Sequence, residues 1–379
     1  MSQGIIIGAG IGGLTTAIAL AKEGISVTIY EQSHEIKEVG AGIWVAPNGL
    51  KVYEELGISK DIITAGKALE KISIVDLNFK PISEIIGKSI ERKHRFTTVA
   101  IHRAILQKIL ASFVPKDTII LGKKFKSYTQ TKDAIIAEFD DETKVEADFL
   151  IGADGIKSNA RLQMQPDTKL RYSGQTCWRF VTDFDFPNEE GNMYEVWSDK
   201  KGLRVGYSKI NNKQAYVFIT NYEKAGGKDN PATLKYNLLE LCYKFPLIIK
   251  QLVNSCNVND IIRTDLFDFK PLKSWTDGKI ALLGDAAHAT TPNLGQGASQ
   301  AIEDAYVLTQ QLRSNTDIEK GLKTYEQVRI KKAAYITNAS WQFAKITNTS
   351  GLTKALIKGV LRWMPNSINE KTIGQTLFA

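Results

Sequence analysis

The chain has 379 residues, with 49 Lys+Arg against 41 Asp+Glu and a formal net charge of +8. At roughly 150 residues per domain this length suggests two or three units, and 43% hydrophobic with 24% charged residues is the mixture of a globular protein. Disorder, a collagen-like repeat and a disulfide-built miniprotein are excluded: the cysteines (Cys177, Cys242, Cys256) are odd in number and show no metal-ligand spacing, so no metal is expected and a reducing cytoplasm is the simplest setting.

The uncharged stretch from Gly4 to Ala21 invites comparison with a signal peptide. No Lys or Arg precedes it, and five glycines interrupt it, so no targeting or membrane-spanning segment is expected. Ile5, Ile6 and Ile7 instead form a β-branched run suited to a buried parallel strand. The turn GAGIGG follows, then LTTAIALAKEG as a helix closed by Gly24, then a second strand SVTIYE ending at Glu31. Gly8, Gly10 and Gly13 have the dinucleotide-binding spacing, with Gly12 beside them: a tight turn, backbone approach to a pyrophosphate, and close helix–strand packing. The helix N-terminus favours the phosphate charge. Glu31 stands where a carboxylate takes adenosine ribose hydroxyls, which selects NAD or FAD over NADP at this site.

Further along, LEKISIVDLN alternates like a strand, and IHRAILQKIL reads as a helix carrying Arg103. FLIGADGIKSNAR, from Phe149 to Arg161, is an apolar strand followed by Asp154-Gly155. Between Arg171 and about Lys270, aromatic and β-branched runs (TCWRFVTDFDF, MYEVWSD, LRVGYSKI, AYVFITNY) read as antiparallel strands with one wet face. Asn211 to Lys213 marks a hairpin turn, and PATLKYNLLELCYKF a helix. IALLGDAAHATTPNLGQGASQAIEDA, from Ile280 to Ala305, is another apolar strand, then Gly284-Asp285, Pro292, a GQG loop and a helix.

These three segments, in this order, resemble the single-component class A flavoprotein monooxygenases built on the para-hydroxybenzoate hydroxylase fold, over about residues 1 to 340. The branch that looks most similar holds urate and salicylate hydroxylases and zeaxanthin epoxidases. The resemblance implies an α/β fold: a Rossmann-like FAD-binding domain (1–71, 95–170 and 271–340), an inserted antiparallel-sheet substrate domain (72–94 and 171–270), and a C-terminal helical region (341–379). It implies FAD, with NADPH or NADH as a transient co-substrate that visits a surface groove, since no second glycine fingerprint is visible. Molecular oxygen would be delivered through a flavin C(4a)-hydroperoxide, to hydroxylate or epoxidise a small organic substrate, an aromatic or N-heterocyclic one being expected.

On this resemblance Gly8, Gly10, Gly12, Gly13, Glu31, Gln32, Gly42, Trp44, Arg103, Asp154 and Asp285 hold FAD, Arg103 at the phosphates and Asp285 at a ribityl hydroxyl. The backbone N–H groups of Gly295, Gln296, Gly297 and Ala298 face a flavin pyrimidine carbonyl, and Pro292 lies beside the isoalloxazine. Arg161 is read either as a partner of Asp154 or a neighbouring carboxylate, or as a cofactor contact. His288 is read as packing or hydrogen-bonding in its loop rather than as a base. Trp44, Arg179, Arg204, Tyr207 and Tyr216 are candidate walls of a substrate pocket between the sheet and the flavin, with Arg204 and Tyr216 foremost.

The basic runs ERKHR and GKKFK lack any nucleic-acid-reading motif, and a groove for anionic ligands explains the charge more economically. From about Ser340 to Pro365 the pattern is helical, with Lys354, Lys358 and Arg362 four apart and Leu352, Leu356, Ile357, Val360 and Leu361 opposite. The apolar stripe is expected to pack on the body of the protein, and membrane contact is not favoured. The alternatives to a monooxygenase are an FAD-dependent reductase or dehydrogenase without oxygen insertion, and a non-catalytic FAD-fold binding protein.

Overall fold

The computed structural model describes residues 3–36, 40–186 and 191–363. Its first strand, Gln3–Ile7, sits inside a six-stranded sheet. Ser26–Tyr30 and Ile119–Ile120 lie on one side of it, and Phe149–Gly152, Ile280–Leu282 and Thr276–Asp277 on the other. Only the last pairing is antiparallel. Strands buried on both faces need continuous apolar runs, and Ile5, Ile6, Leu150, Ile151, Ile280 and Leu282 are all buried. The register sets Ile7 opposite Gly152 and Gly152 opposite Leu282. Three neighbouring strands therefore end at one edge, where Gly8, Asp154 and Asp285 follow. Such carboxyl ends are where open parallel sheets bind ligands.

The seven-stranded sheet runs in the order Ile262–Phe269, Leu170–Asp183, Gln214–Tyr222, Arg204–Lys209, Asn192–Trp197, Lys71–Asp76, Pro81–Ile86. Its strands were expected to be antiparallel, but Asn192–Trp197 pairs with Lys71–Asp76 in parallel. The chain leaves the sheet after the Pro81–Ile86 strand, passes through the parallel-sheet unit and re-enters, so these two strands need no hairpin between them. The Asn211 turn forms, with Asn211 Oδ1 accepting from the N–H groups of Lys213 and Gln214, both at 2.8 Å. One face of the sheet is covered by helices Pro231–Leu241 and Leu247–Ser255, which enclose Trp178, Phe180, Val205, Val217 and Ile219. The other face packs Tyr216, Phe218 and Val181 against Trp44.

Two smaller antiparallel sheets were not anticipated: Phe125–Gln130 with Ile135–Phe139 and Lys144–Ala147, and Gly42–Val45 with Val99–His102 and Lys67–Ala68.

The C-terminal pattern divides into a helix Ile318–Thr347 and a second helix Gly351–Trp363, while Pro365 lies outside the described residues. The second helix is oriented opposite to expectation. Its basic side faces inward: Lys354 Nζ donates to Lys200 O at 2.7 Å, Lys358 Nζ to Asp199 Oδ1 at 2.8 Å, and Arg362 to Pro81 O and Asp76. Leu352, Leu356, Val360 and Trp363 face solvent. The four-residue spacing of the cations matches a row of fixed acceptors on the body, and a satisfied ammonium can be buried where an unpaired one cannot. Among the described residues no helix is long and apolar enough to cross a membrane.

Candidate active site

The glycine turn is built for close approach. Gly8 has φ +102°, a conformation L side chains rarely adopt, and a Cβ on Gly13 would lie 2.0 Å from Gly8 O. A Cβ on Gly10 would meet nothing within 4 Å. Gly10 therefore needs no glycine for internal packing, and the space above it is free. Gly10 caps helix Ile11–Lys22 with no side-chain hydrogen bond, so the first N–H groups of that helix are available to an anion. Glu31 leans over this turn: Oε2 accepts from Ala9 N at 2.8 Å and Oε1 from Ser33 N at 2.9 Å, leaving acceptor capacity on both oxygens. Gln32 next to it is exposed. Gln107, which carried no sequence signal, donates to Ala9 O at 2.8 Å and ties the turn to helix Arg103–Phe113. Arg103 opens that helix and is itself exposed.

Asp285 combines two properties that are usually exclusive. Its side chain is accessible, yet protein surrounds it closely enough for desolvation to raise its pKa, against the opposing pull of His288, Arg103 and Arg161. A carboxylate of this kind lines a recess. Asp154 stands beside the glycine turn, its pKa raised by burial; Oδ2 accepts from Ala160 N at 3.2 Å and Oδ1 is buried with no partner. Arg161 does not bond Asp154. Its guanidinium donates to Ile156 O at 2.6 Å and Ala286 O at 3.3 Å and lies over the Phe269 ring, because these carbonyls end the two loops it spans.

The Gly284-Asp285 turn rests on a buried network. Asp304 Oδ2 accepts from Gly284 N at 3.1 Å and faces His288 Nε2 at 2.5 Å, while Oδ1 accepts from Arg329 Nε at 2.7 Å. Burial raises the Asp304 pKa, but His288 and Arg329 outweigh it and hold the carboxyl at about 2. His288 also packs on Trp275, so it orders this loop. Asp304 and Arg329 were missed by sequence reading; the Glu-Asp pair in the helix after GQG was the available signal.

In the GQG loop, Gly295 N donates to Pro292 O at 3.0 Å, which removes Gly295 from the expected set of free donors. The 3-10 turn Pro292–Leu294 consumes it. No side chain caps helix Gly297–Ser314, so the first donors beyond, at Gln296, Gly297 and Ala298, have no intrahelical acceptor. Gln296 Nε2 and Asn48 Oδ1, joined through Asn48 Nδ2 and Gln296 Oε1 at 3.2 Å, each remain unpartnered and buried.

The inner face of the seven-stranded sheet closes the recess. Trp44 donates to Ser208 Oγ at 3.4 Å, meets Tyr216 and Phe218 edge-on, and packs against Gly295. Gly42 is required by Tyr216: a Cβ there would lie 2.3 Å from Tyr216 Cγ. Burial raises the Tyr216 pKa above the usual phenol range. Arg204 is buried with every donor nitrogen engaged, Nε by Thr220 at 3.1 Å, Nη1 by Glu195 at 2.7 Å and Nη2 by Asn293. Arg179 is different. Its Nη2 donates to Thr264 Oγ1 at 3.1 Å, and its Nε is buried without a partner. Tyr207 is not a wall of this site; it packs with Phe186 and Tyr194 on the opposite face. Alternation along a strand separates it from Arg204, three residues earlier.

The basic run GKKFK does not form an open cationic groove. Lys123, Lys124 and Lys126 pair with Asp141, Asp140 and Glu138 at 2.5 to 2.6 Å. The hairpin sets the two charged rows side by side.

An exposed-donor helix end over free space, a carboxylate with spare acceptor capacity beside the glycine turn, an orphaned Asp154 oxygen and a second uncapped helix end beside orphaned amides all fit an extended flavin dinucleotide. Known proteins agree. The FAD binding domain family matches residues 1–340. The aurachin C monooxygenase/isomerase of Stigmatella aurantiaca is 33% identical over 342 residues, 90% of this chain and 88% of that one. The FAD-dependent urate hydroxylase of Klebsiella pneumoniae subsp. pneumoniae is 32% identical over 332 residues, 86% of this chain and 85% of that one. The crystal structure of Klebsiella pneumoniae HpxO with FAD and uric acid superposes with a TM-score of 0.93 at 26% identity, covering 99% of this chain and 96% of that one. The chain therefore belongs to the FAD binding domain family, and it is an FAD-dependent monooxygenase.

Proposed function

We propose that this enzyme uses NAD(P)H and molecular oxygen to hydroxylate a small planar aromatic or N-heterocyclic compound carrying an anionic or carbonyl substituent. Bound FAD supplies the redox chemistry, accepting electrons from the nicotinamide and activating oxygen. The chain's own residues bind, orient and exclude water. In this reading Gly8, Gly10, Gly12 and Gly13 seat the pyrophosphate, with Arg103 balancing its charge, and Glu31 and Gln32 take the adenosine ribose. Gly42 and Trp44 line the path between the two ends. Asp285 accepts from a ribityl hydroxyl, and Asp154 steadies the phosphates. The N–H groups of Gln296, Gly297 and Ala298 face the flavin pyrimidine, and Pro292 sets the ring's edge.

The observation that carries the substrate class is the inner face of the seven-stranded sheet. Trp44, Tyr216 and Phe218 give an aromatic wall, and half-buried Arg179 brings a cation whose Nε is buried and unsatisfied. A planar ring bearing a carboxylate or enolate oxygen satisfies both. Tyr216 supplies wall, and Arg204 acts as a positioning residue, holding Asn293 and so the Pro292 turn against the sheet.

The test is oxygen uptake by the purified, FAD-loaded enzyme with NADPH or NADH, screened against aromatic acids and against heterocycles such as uric acid, which the crystallised relative binds. Substrate-dependent oxygen consumption matched by an equal amount of hydroxylated product supports the reading. Nicotinamide oxidation by an electron-accepting substrate, without oxygen incorporation, would replace it with the reductase.

A further inference from the structure

Helix Gly351–Trp363 is amphipathic, and it is mounted with its polar side inward. Lys354 and Lys358 are buried against the loop Trp197–Gly202, whose carbonyls and Asp199 satisfy their ammonium groups. On the opposite side Leu352 is 86%, Leu356 71%, Val360 63% and Trp363 90% exposed. Spaced four, four and three apart, they form one stripe along the helix. Large apolar side chains exposed this fully and this contiguously mark a contact surface.

The loop that receives the helix is basic and flanked by aromatic rings. The loop that holds Lys354 carries exposed Lys200 and Lys201. Lys200 lies over the half-exposed Tyr243 ring at 5.6 Å, Lys244 over the same ring at 5.5 Å, and Lys201 over the half-exposed Tyr222 ring at 3.5 Å. Asp199 and Asp76, the acids that meet the helix, are taken by Lys358 and Arg362. The loop on which the helix is mounted thus carries exposed cations beside amphipathic rings of the type that settle at a membrane–water boundary.

We propose that this face docks on an anionic lipid bilayer, with the helix lying in the interfacial plane and Leu352, Leu356, Val360 and Trp363 inserted among the acyl chains. Lys200, Lys201 and Lys244 meet the headgroups. Ordinary interfacial helices carry their cations on their own polar face; here those cations anchor the helix to the body, and the loop beside it supplies the lipid-facing charge. A second copy of the chain fits less well. Four side chains on one helix offer on the order of 500 Å² per partner, short of the roughly 800 Å² of a stable interface.

The experiment is co-sedimentation of the full-length, FAD-loaded protein with vesicles of phosphatidylcholine containing about one third phosphatidylglycerol, and with vesicles of phosphatidylcholine alone. Binding to the anionic vesicles, weakened at least several-fold by 0.5 M salt or so or by removing the anionic lipid, is expected. Leu356→Glu and Trp363→Ser, both at solvent-facing positions, should each lower the partition coefficient about tenfold. FAD content and melting temperature should stay unchanged. Lys201→Glu should remove the preference for anionic lipid. Three results would overturn the proposal. One is no vesicle binding by the wild-type chain. Another is a stable dimer that Leu356→Glu converts to monomer, which would give the stripe to a second copy. The third is vesicle binding that emerges only when residues 364–379 are deleted, which would make that segment the natural cover.

Discussion

Arg204 and Glu195 form a buried ion pair, Nη1 to Oε1 at 2.7 Å, on adjacent strands of the seven-stranded sheet, and Trp197 Nε1 donates to the same carboxylate oxygen at 2.7 Å. Both charges are compensated inside the protein, and the remaining donors of Arg204 go to Thr220 and Asn293. The pair links the sheet to the turn that precedes the GQG helix, so a residue that looks from sequence like a ligand for substrate is first a clamp.

Removing one member of such a pair strands the other. Glu195→Ala is expected to lower unfolding free energy by about 3–5 kcal/mol. The double variant Glu195→Ala/Arg204→Leu should recover a good part of that loss, because no charge then stays buried alone. Urea titrations of the three proteins check this; a double variant no more stable than Glu195→Ala would place the cost in packing.

Two glycines of one turn should behave differently. Gly13→Ala forces a methyl to within 2.0 Å of Gly8 O and should compromise folding outright. Gly10→Ala meets no protein atom within 4 Å, so the apoprotein should melt within a degree or two of wild type while FAD affinity falls tenfold or more. Differential scanning calorimetry with flavin fluorescence titration separates the effects. Unimpaired FAD binding by Gly10→Ala would move the pyrophosphate elsewhere.

Asp285→Ala should weaken FAD binding by about ten- to a hundredfold, the worth of one hydrogen bond to a charged group. The apoprotein should be no less stable, since burial disfavours this carboxylate and removing it relieves that cost. An unchanged dissociation constant would assign the ribityl contact to another residue.

Acid should unfold the protein through two carboxylates. Burial raises the Glu326 pKa, but Lys323, Ser274, the Trp275 N–H and Thr276 outweigh it and bring the carboxyl to about 2, like that of Asp304. Both folded-state values lie below the unfolded ones near 4, so their stabilisation is fully present above about pH 5 and lost as pH falls toward 2. Each is worth on the order of 2 kcal/mol. Glu326→Gln should flatten the acid limb of the stability–pH curve, read from chemical denaturation at pH 3 to 7.

On the proposed reading, Arg179→Met should raise KM for an anionic substrate by about tenfold or more while leaving FAD binding and the melting temperature close to wild type, because the one protein hydrogen bond given up is to Thr264. Steady-state kinetics on the best substrate from the oxygen-uptake screen decides it; an unaltered KM would take Arg179 out of the pocket.

Much of the parallel-sheet unit was legible locally. Ile5–Ile7, Phe149–Ile151 and Ile280–Leu282 announce buried strands by composition, and each is followed by glycine or a carboxylate in a turn. Less was legible in the middle of the chain. Alternation places Tyr207 and Arg204 on opposite faces, but which face meets the cofactor depends on how the sheet is laid down. The parallel pairing of Asn192–Trp197 with Lys71–Asp76 joins strands more than a hundred residues apart, and no local pattern encodes that choice.

By itself the sequence determined the turn chemistry: where glycine permits a close approach, where a helix end is left open to an anion, where Glu31 and Asp285 end their strands. These follow from steric and hydrogen-bonding rules that act within a few residues. Tertiary structure alone decided what each polar side chain is used for. Arg161 takes carbonyls instead of Asp154, Arg204 takes Glu195, Asp304 holds the Asp285 turn through His288 and Arg329, and Gly295 gives its N–H to Pro292. It also turned the helix Gly351–Trp363 over, because fixed acceptors on the body outcompeted the pull of its apolar stripe. A buried charge must find its partner wherever the fold brings one, and that partner can lie a hundred residues away.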